Sequence, residues 1–120
     1  MYSEGMRKLM IYKILRKNEW LDLKSQGSTS GAVIDVQDGF IHFSTASQVV
    51  ETVEKYFKGL DDLFIAAVDD SKIGDELIWE HARKNQLFPH LYRNLNLTEI
   101  IWCKALKLRN GKHFLPSKMT

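Results

Sequence analysis

Residues 39–59 constrain the fold more than any other stretch of this chain. Alternation over residues 40–44 (Phe-Ile-His-Phe-Ser) predicts a strand. Thr45, followed three residues later by Gln48, makes a T-x-x-Q capping box that starts a helix at once. Behind it, Val49, Val50, Val53, Phe57 and Leu60 recur at helical spacing, and Gly59 offers a stop. Residues 63–68 (Leu-Phe-Ile-Ala-Ala-Val) then follow, apolar on both faces as in a central strand covered on each side.

The flanking segments extend this pattern. Residues 9–15 predict a further strand, and Asn18 predicts the cap of a brief helix carrying Trp20, Leu21 and Leu23 that stops near Gly27. The small polar residues 26–31 predict a flexible loop, and residues 69–74 a turn. Residues 76–82 predict an extended strand with Leu77, Trp79 and His81 on one face and Ile78 and Glu80 on the other. Residues 98–108 predict a long strand, turned at Asn110-Gly111 into a short return through His113 and Phe114. Two modest helices against five or six strands make an α+β domain. With no repeat or linker, residues 1–120 read as one domain, residues 1–8 being a flexible polar leader.

Composition narrows the class. Seventeen Lys and Arg against fifteen Asp and Glu leave a net charge of +2, which argues against nucleic acid as a partner. No apolar run approaches the roughly 18 to 20 residues needed to cross a bilayer, and the start lacks the apolar centre of a signal peptide. A lone cysteine, Cys103, forms no internal disulfide, which points to a cytoplasmic protein. Membrane, secreted-disulfide and disordered classes are thereby excluded.

Three short segments carry candidate chemistry. In Asp38-Gly39-Phe40-Ile41-His42-Phe43-Ser44-Thr45, a period of two places His42 and Ser44 on one face and Ile41 and Phe43 on the other. The helix that follows opens with free amides that favour phosphate. This is either a binding site for a phosphate-bearing ligand or a polar strand end whose Ser44 helps to cap the helix. In Trp79-Glu80-His81, Glu80 lies among apolar residues and is either buried with a partner or lines a pocket, with a raised pKa or a bond to a sugar hydroxyl, or else is an exposed edge-strand carboxylate. His81 points away from it and reads as structural or surface. In Phe88-Pro89-His90-Leu91-Tyr92, the proline stiffens the backbone and presents His90 and Tyr92 on one side. Tyr12 and Lys13 of the first strand border the same pocket in this reading. Cys103 reads as core rather than nucleophile. Zinc, Walker and nucleophile-elbow motifs are missing. The four histidines meeting around a metal, as in a hydrolase, stays open as an alternative.

In this order, Ile11-Tyr12-Lys13 with Trp20 and Gly27, DGFIHFST followed by Gln48, Trp79-Glu80, and FPHLY resemble the family of small bacterial proteins described as domain of unknown function 952. The resemblance spans residues 11–116, with Arg93 where the family has a glycine. It implies a fold similar to that of ADP-ribosyltransferases, an α+β arrangement of two small mixed or antiparallel sheets with two or three short helices around a cleft. Residues 41–44 look like the histidine strand of RNA 2′-phosphotransferases, which lines their NAD pocket. On that resemblance, His42, Glu80 and His90 carry catalysis, and Ser44, Thr45, Tyr12 and Tyr92 bind ligand. NAD is then the ligand or cosubstrate, and no metal is implied. The first strand carries Tyr12-Lys13-Ile14 in place of those enzymes' His-Gly-Thr, and their arginines lack a counterpart. Both departures argue against RNA 2′-phosphotransferase activity. The expected function is thus binding of NAD or another small phosphate- or ribose-bearing molecule, either in an enzyme or in a non-catalytic sensor that kept the cleft.

Overall fold

The computed structural model describes residues 9–116. The polar leader expected at residues 1–8 lies outside the described residues. Strand β1 (Met10–Arg16) leads directly into helix α1 (Lys17–Gln26). Glu19, not Asn18, starts that helix: its Oε1 accepts the Arg16 backbone N–H at 2.8 Å, so the helix begins earlier than the Asn18 cap would place it. Gly27 closes it in the left-handed conformation, φ 82°. The expected flexible loop instead contains β2 (Ser28–Thr29), which pairs with β8 (Leu95–Asn96). A short helix without a counterpart in the sequence reading, α2 (Val33–Asp38), comes next.

The strand expected over residues 40–44 is split between two sheets. Strand β3 (Ile41–His42) pairs with β7 (Leu87–Leu91), whereas β4 (Ser44–Thr45) pairs with β1. Phe43 lies at the crossing, and its N–H donates to the Pro89 carbonyl at 3.0 Å. The period of two survives the crossing, because Ile41 and Phe43 both enter one core cluster. Thr45 then starts α3 (Ala46–Tyr56), and Gln48 Oε1 accepts the Thr45 N–H at 3.0 Å, as the box requires. The helix closes on the Phe57 N–H, before Gly59, so Leu60 falls outside it and is exposed.

Strand β5 (Leu63–Asp69) is the middle strand of a five-stranded antiparallel sheet ordered β10-β9-β5-β1-β4. Leu63, Ile65 and Ala67 face α3 through Val49 and Val53, while Ala66 and Val68 pack into the clusters on the opposite face. Both faces are covered, as a two-sided apolar run demands. The expected turn at residues 69–74 contains helix α4 (Asp70–Ile73), capped by Asp69 Oδ1 accepting the Ser71 N–H at 3.0 Å. Strands β6 (Leu77–His81), β7 and β3 form a three-stranded antiparallel sheet with β7 at its centre. Strand β9 (Ile100–Arg109) turns through Asn110 and Gly111, both at positive φ, into β10 (Lys112–Phe114).

The architecture is α+β with short helices and small sheets around a cleft. Every strand pairing is antiparallel, and the described residues hold three sheets and four α-helices rather than two sheets and two or three helices. No helix among the described residues is long and apolar enough to cross a membrane.

Candidate functional site

A cavity of about 480 Å³ opens beside the β3–β4 crossing. Strand β1 pairs with β4 only at Ile11 and Tyr12. Beyond that point Lys13, Ile14 and Arg16 line the cavity instead.

Helix α2 supplies the residue that organises one wall. Asp35 is 1% exposed and receives four donors on its two carboxylate oxygens. Oδ2 accepts the Ala32 N–H at 2.7 Å and Lys13 Nζ at 2.6 Å. Oδ1 accepts the His42 backbone N–H at 3.1 Å and faces His42 Nδ1 at 2.6 Å. Burial alone would push its pKa up, but the bonds from His42 and Lys13 outweigh it and hold the carboxyl below its ordinary value. Only glycine fits at position 31. Its φ is +100°, and a Cβ there would lie 2.6 Å from the Asp35 Cβ and closer still to the carboxylate.

His42 is pinned on both sides, its Nε2 lying 3.0 Å from Asp38 Oδ2. Neither ring nitrogen reaches a ligand without displacing a carboxylate. His90 is different. It is 5% exposed, its Nδ1 lies 2.6 Å from Glu80 Oε1, and its Nε2 has no hydrogen-bond partner among the described residues. Among the described residues no buried side-chain nitrogen or oxygen is left sealed without a partner, so this Nε2 is accessible, and His90 is one of the residues that line the cavity. Phe40 holds the group together, its ring centroid 4.5 Å from that of His42, 4.1 Å from His90 and 5.0 Å from Tyr92.

Of the residues expected at the site, His42, Ser44, His90 and Tyr12 do line the cavity. Ser44 is buried and bonded to Thr52 Oγ1 at 3.0 Å. Tyr12 is 1% exposed, and burial pushes its hydroxyl pKa up. Glu80, Tyr92 and Thr45 do not line it. Glu80 stands behind His90 and also accepts the Tyr92 hydroxyl at 2.7 Å. Those two bonds lower its pKa, the reverse of the raised value expected for a pocket carboxylate. Thr45 is spent on the helix start, where its Oγ1 lies 3.2 Å from Ser47 Oγ. Asp35, Thr52 and Arg83 were missed by the sequence reading. The signal for Asp35 was an acid at the third position of a short helix; nothing local marks Thr52 or Arg83.

The four histidines do not converge. His81 is exposed, and His113 Nε2 is bonded to the Leu60 carbonyl at 2.6 Å. Among the described residues no group of three or more His, Cys, Asp or Glu is placed to hold a metal ion. Arg93 clamps Glu76 at 2.8 Å and Glu99 at 2.7 Å, an anchor at the end of β7. Cys103 is half-buried against the α1 side of the sheet, and burial pushes its thiol pKa up to about 12. It should therefore resist iodoacetamide at pH 8 in the folded protein and react once urea unfolds the chain. Rapid labelling of the folded protein, followed by mass spectrometry, would contradict this reading.

The chain matches the family model described as protein of unknown function, DUF952, over residues 14–103. No curated protein matches it. It is similar to the crystal structure of protein CC0527 from Caulobacter crescentus, with 40% identity and a TM-score of 0.84 over 88% of this chain and 93% of that one. The solution structure of the same Caulobacter protein gives a TM-score of 0.78 over 87% of this chain and 90% of that one. A match across residues 14–103, three quarters of the chain, places it in the DUF952 family.

Proposed function

We propose that the cavity binds a small phosphate- or ribose-bearing molecule, with NAD or a related nucleotide as the candidate and the ADP-ribosyltransferase-like proteins as the parallel. The open Nε2 of His90 carries this reading. A carboxylate accepting from Nδ1–H fixes both the ring's orientation and its tautomer, leaving Nε2 as a lone-pair acceptor. Such a nitrogen can accept a hydrogen bond from a ribose hydroxyl or take its proton as a general base. The cavity's volume falls within the range of about 300 to 1,000 Å³ usual for small-molecule sites. Its walls are mainly apolar, through Ile14, Phe43, Phe57 and Phe88, with a few polar groups between them.

Calorimetric titration with NAD, ADP-ribose and mononucleotides tests the reading. The wild-type protein should bind at least one of them, and His90→Gln should weaken that binding by about tenfold or more, the worth of a hydrogen bond to a good acceptor. No heat with any of them at millimolar concentration would overturn it. The double pinning of His42 favours a second reading, a binding module without turnover. Mass spectrometry of NAD after long incubation separates the two, since released nicotinamide requires the enzyme.

A further inference from the structure

Arg83 enters the cavity wall from the loop between β6 and β7. That loop is tightly built: Lys84 and Asn85 both adopt positive φ, 56° and 58°, and the Ala82 N–H donates to the Gln86 carbonyl at 2.9 Å. Two successive non-glycine residues in this conformation are costly, and the outcome here is an arginine side chain turned inward. Its side chain is only 13% exposed. The guanidinium carbon lies 5.0 Å from the Phe88 ring centre and 5.6 Å from that of Tyr56.

Its charge is poorly answered by the protein. Nη2 donates to Thr52 Oγ1 at 3.1 Å. Nη1 makes no hydrogen bond among the described residues. The nearest carboxylate, Glu51, is 3.9 Å from Nε, beyond hydrogen-bonding distance, and is claimed by Lys84 at 2.8 Å. The lysine of the cavity, Lys13, is already neutralised by Asp35. Arg16 stands over Phe57, its carbon 5.3 Å from the ring centre, and is half exposed. A mostly buried guanidinium without a carboxylate at bonding distance is stable only if something answers it. Aromatic faces answer it in part.

We infer that Arg83 is the anion seat of the cavity, receiving a phosphoryl group of the ligand on its free Nη1 edge. Arg83 is thus a ligand-binding residue contributed by the β6–β7 loop, whereas His42 and His90 come from β3 and β7. This deepens the nucleotide reading by naming where its phosphate goes. The fork of a guanidinium matches phosphate oxygens, and the flanking rings hold that fork in plane.

Inorganic pyrophosphate is the probe, followed through the Arg83 side-chain Nε–H signal by NMR and through calorimetry. Pyrophosphate should shift that signal saturably. Arg83→Gln should weaken binding by about tenfold or more, and Arg83→Lys by less. Glu51→Gln removes the negative charge nearest the guanidinium, 3.9 Å from Nε, and should tighten binding severalfold. An unmoved Arg83 signal, or wild-type affinity in Arg83→Gln, overturns the inference. Should Arg83→Gln fail to fold, Glu51→Gln decides, tightening in support and unchanged affinity against. Pyrophosphate binding without nucleotide binding keeps the anion seat and removes the nucleotide reading. Nucleotide binding that ignores Arg83 does the reverse.

Discussion

Replacing Asp35 with alanine is expected to cost about 3 to 5 kcal/mol of folding stability, the range for breaking a buried ion pair from one side. Four donor atoms, from Lys13, Ala32 and His42, lose their acceptor together. Lys13, its side chain 7% exposed, would keep a charge with no partner. The Ala32 amide would lose the start of α2, and the His42 amide its only acceptor of that kind. Against a total stability of about 5 to 15 kcal/mol, that loss is large. Urea denaturation measures it directly. Combining Asp35→Ala with Lys13→Met should recover much of the loss, because an apolar pair leaves no orphan charge. Simple additivity of the two changes would refute the pairing argument.

The same carboxylate sets an acid limit. Its pKa in the folded protein lies below its value in the unfolded chain, so the unfolded chain binds the proton more readily. The stabilisation is therefore complete above the unfolded value of about 3.9 and is lost as pH falls through the lower folded value. Denaturation midpoints should drop on acidification below pH about 4, and Asp35→Asn should flatten that part of the curve.

Phe43→Ala should cost a similar amount, about 3 to 5 kcal/mol, for a different reason. Phe43 is 2% exposed, packs with Ile11, Ile41, Val68 and Leu91, and sits where the chain leaves one sheet for the other. Alanine would remove the ring that fills the angle between the sheets, and would also widen the cavity that the ring lines. Phe43→Leu, which keeps most of the volume, should cost less than about 1.5 kcal/mol. If both substitutions cost under about 1 kcal/mol by urea denaturation, the ring does not join the two sheets.

Much of this arrangement was legible in the sequence because local signals agreed with tertiary demands. The Thr45–Gln48 start, the two-sided strand at residues 63–68 and the Asn110-Gly111 turn each specify their geometry within a few residues. What escaped was decided at a distance. Residues 40–44 alternate as one strand, and only the competing edges of β1 and β7 divide them. Helix α2 is rich in β-branched residues, with Val33, Ile34 and Val36 exposed, so its helicity rests on Asp35 rather than on propensity. Glu80 stood out as a carboxylate among apolar residues, but its half-exposed place behind His90 is set by the pairing of β6 with β7. Arg83 looks from the sequence like any loop arginine, and only the folded loop turns it inward.

The crossing at Phe43 also bears on how a ligand would enter and leave. The walls of the cavity belong to two sheets that the chain joins most directly at Phe43, and the Gln48 side chain ties α3 to the Leu87 carbonyl at 2.8 Å. Fastening at both places opposes a swing of one sheet away from the other. Entry is left to α2, six residues flanked by Gly31 and Gly39 at positive φ and held down chiefly by Asp35. Residence time should therefore be governed by the grip of a single carboxylate on the rim rather than by any breathing of the core.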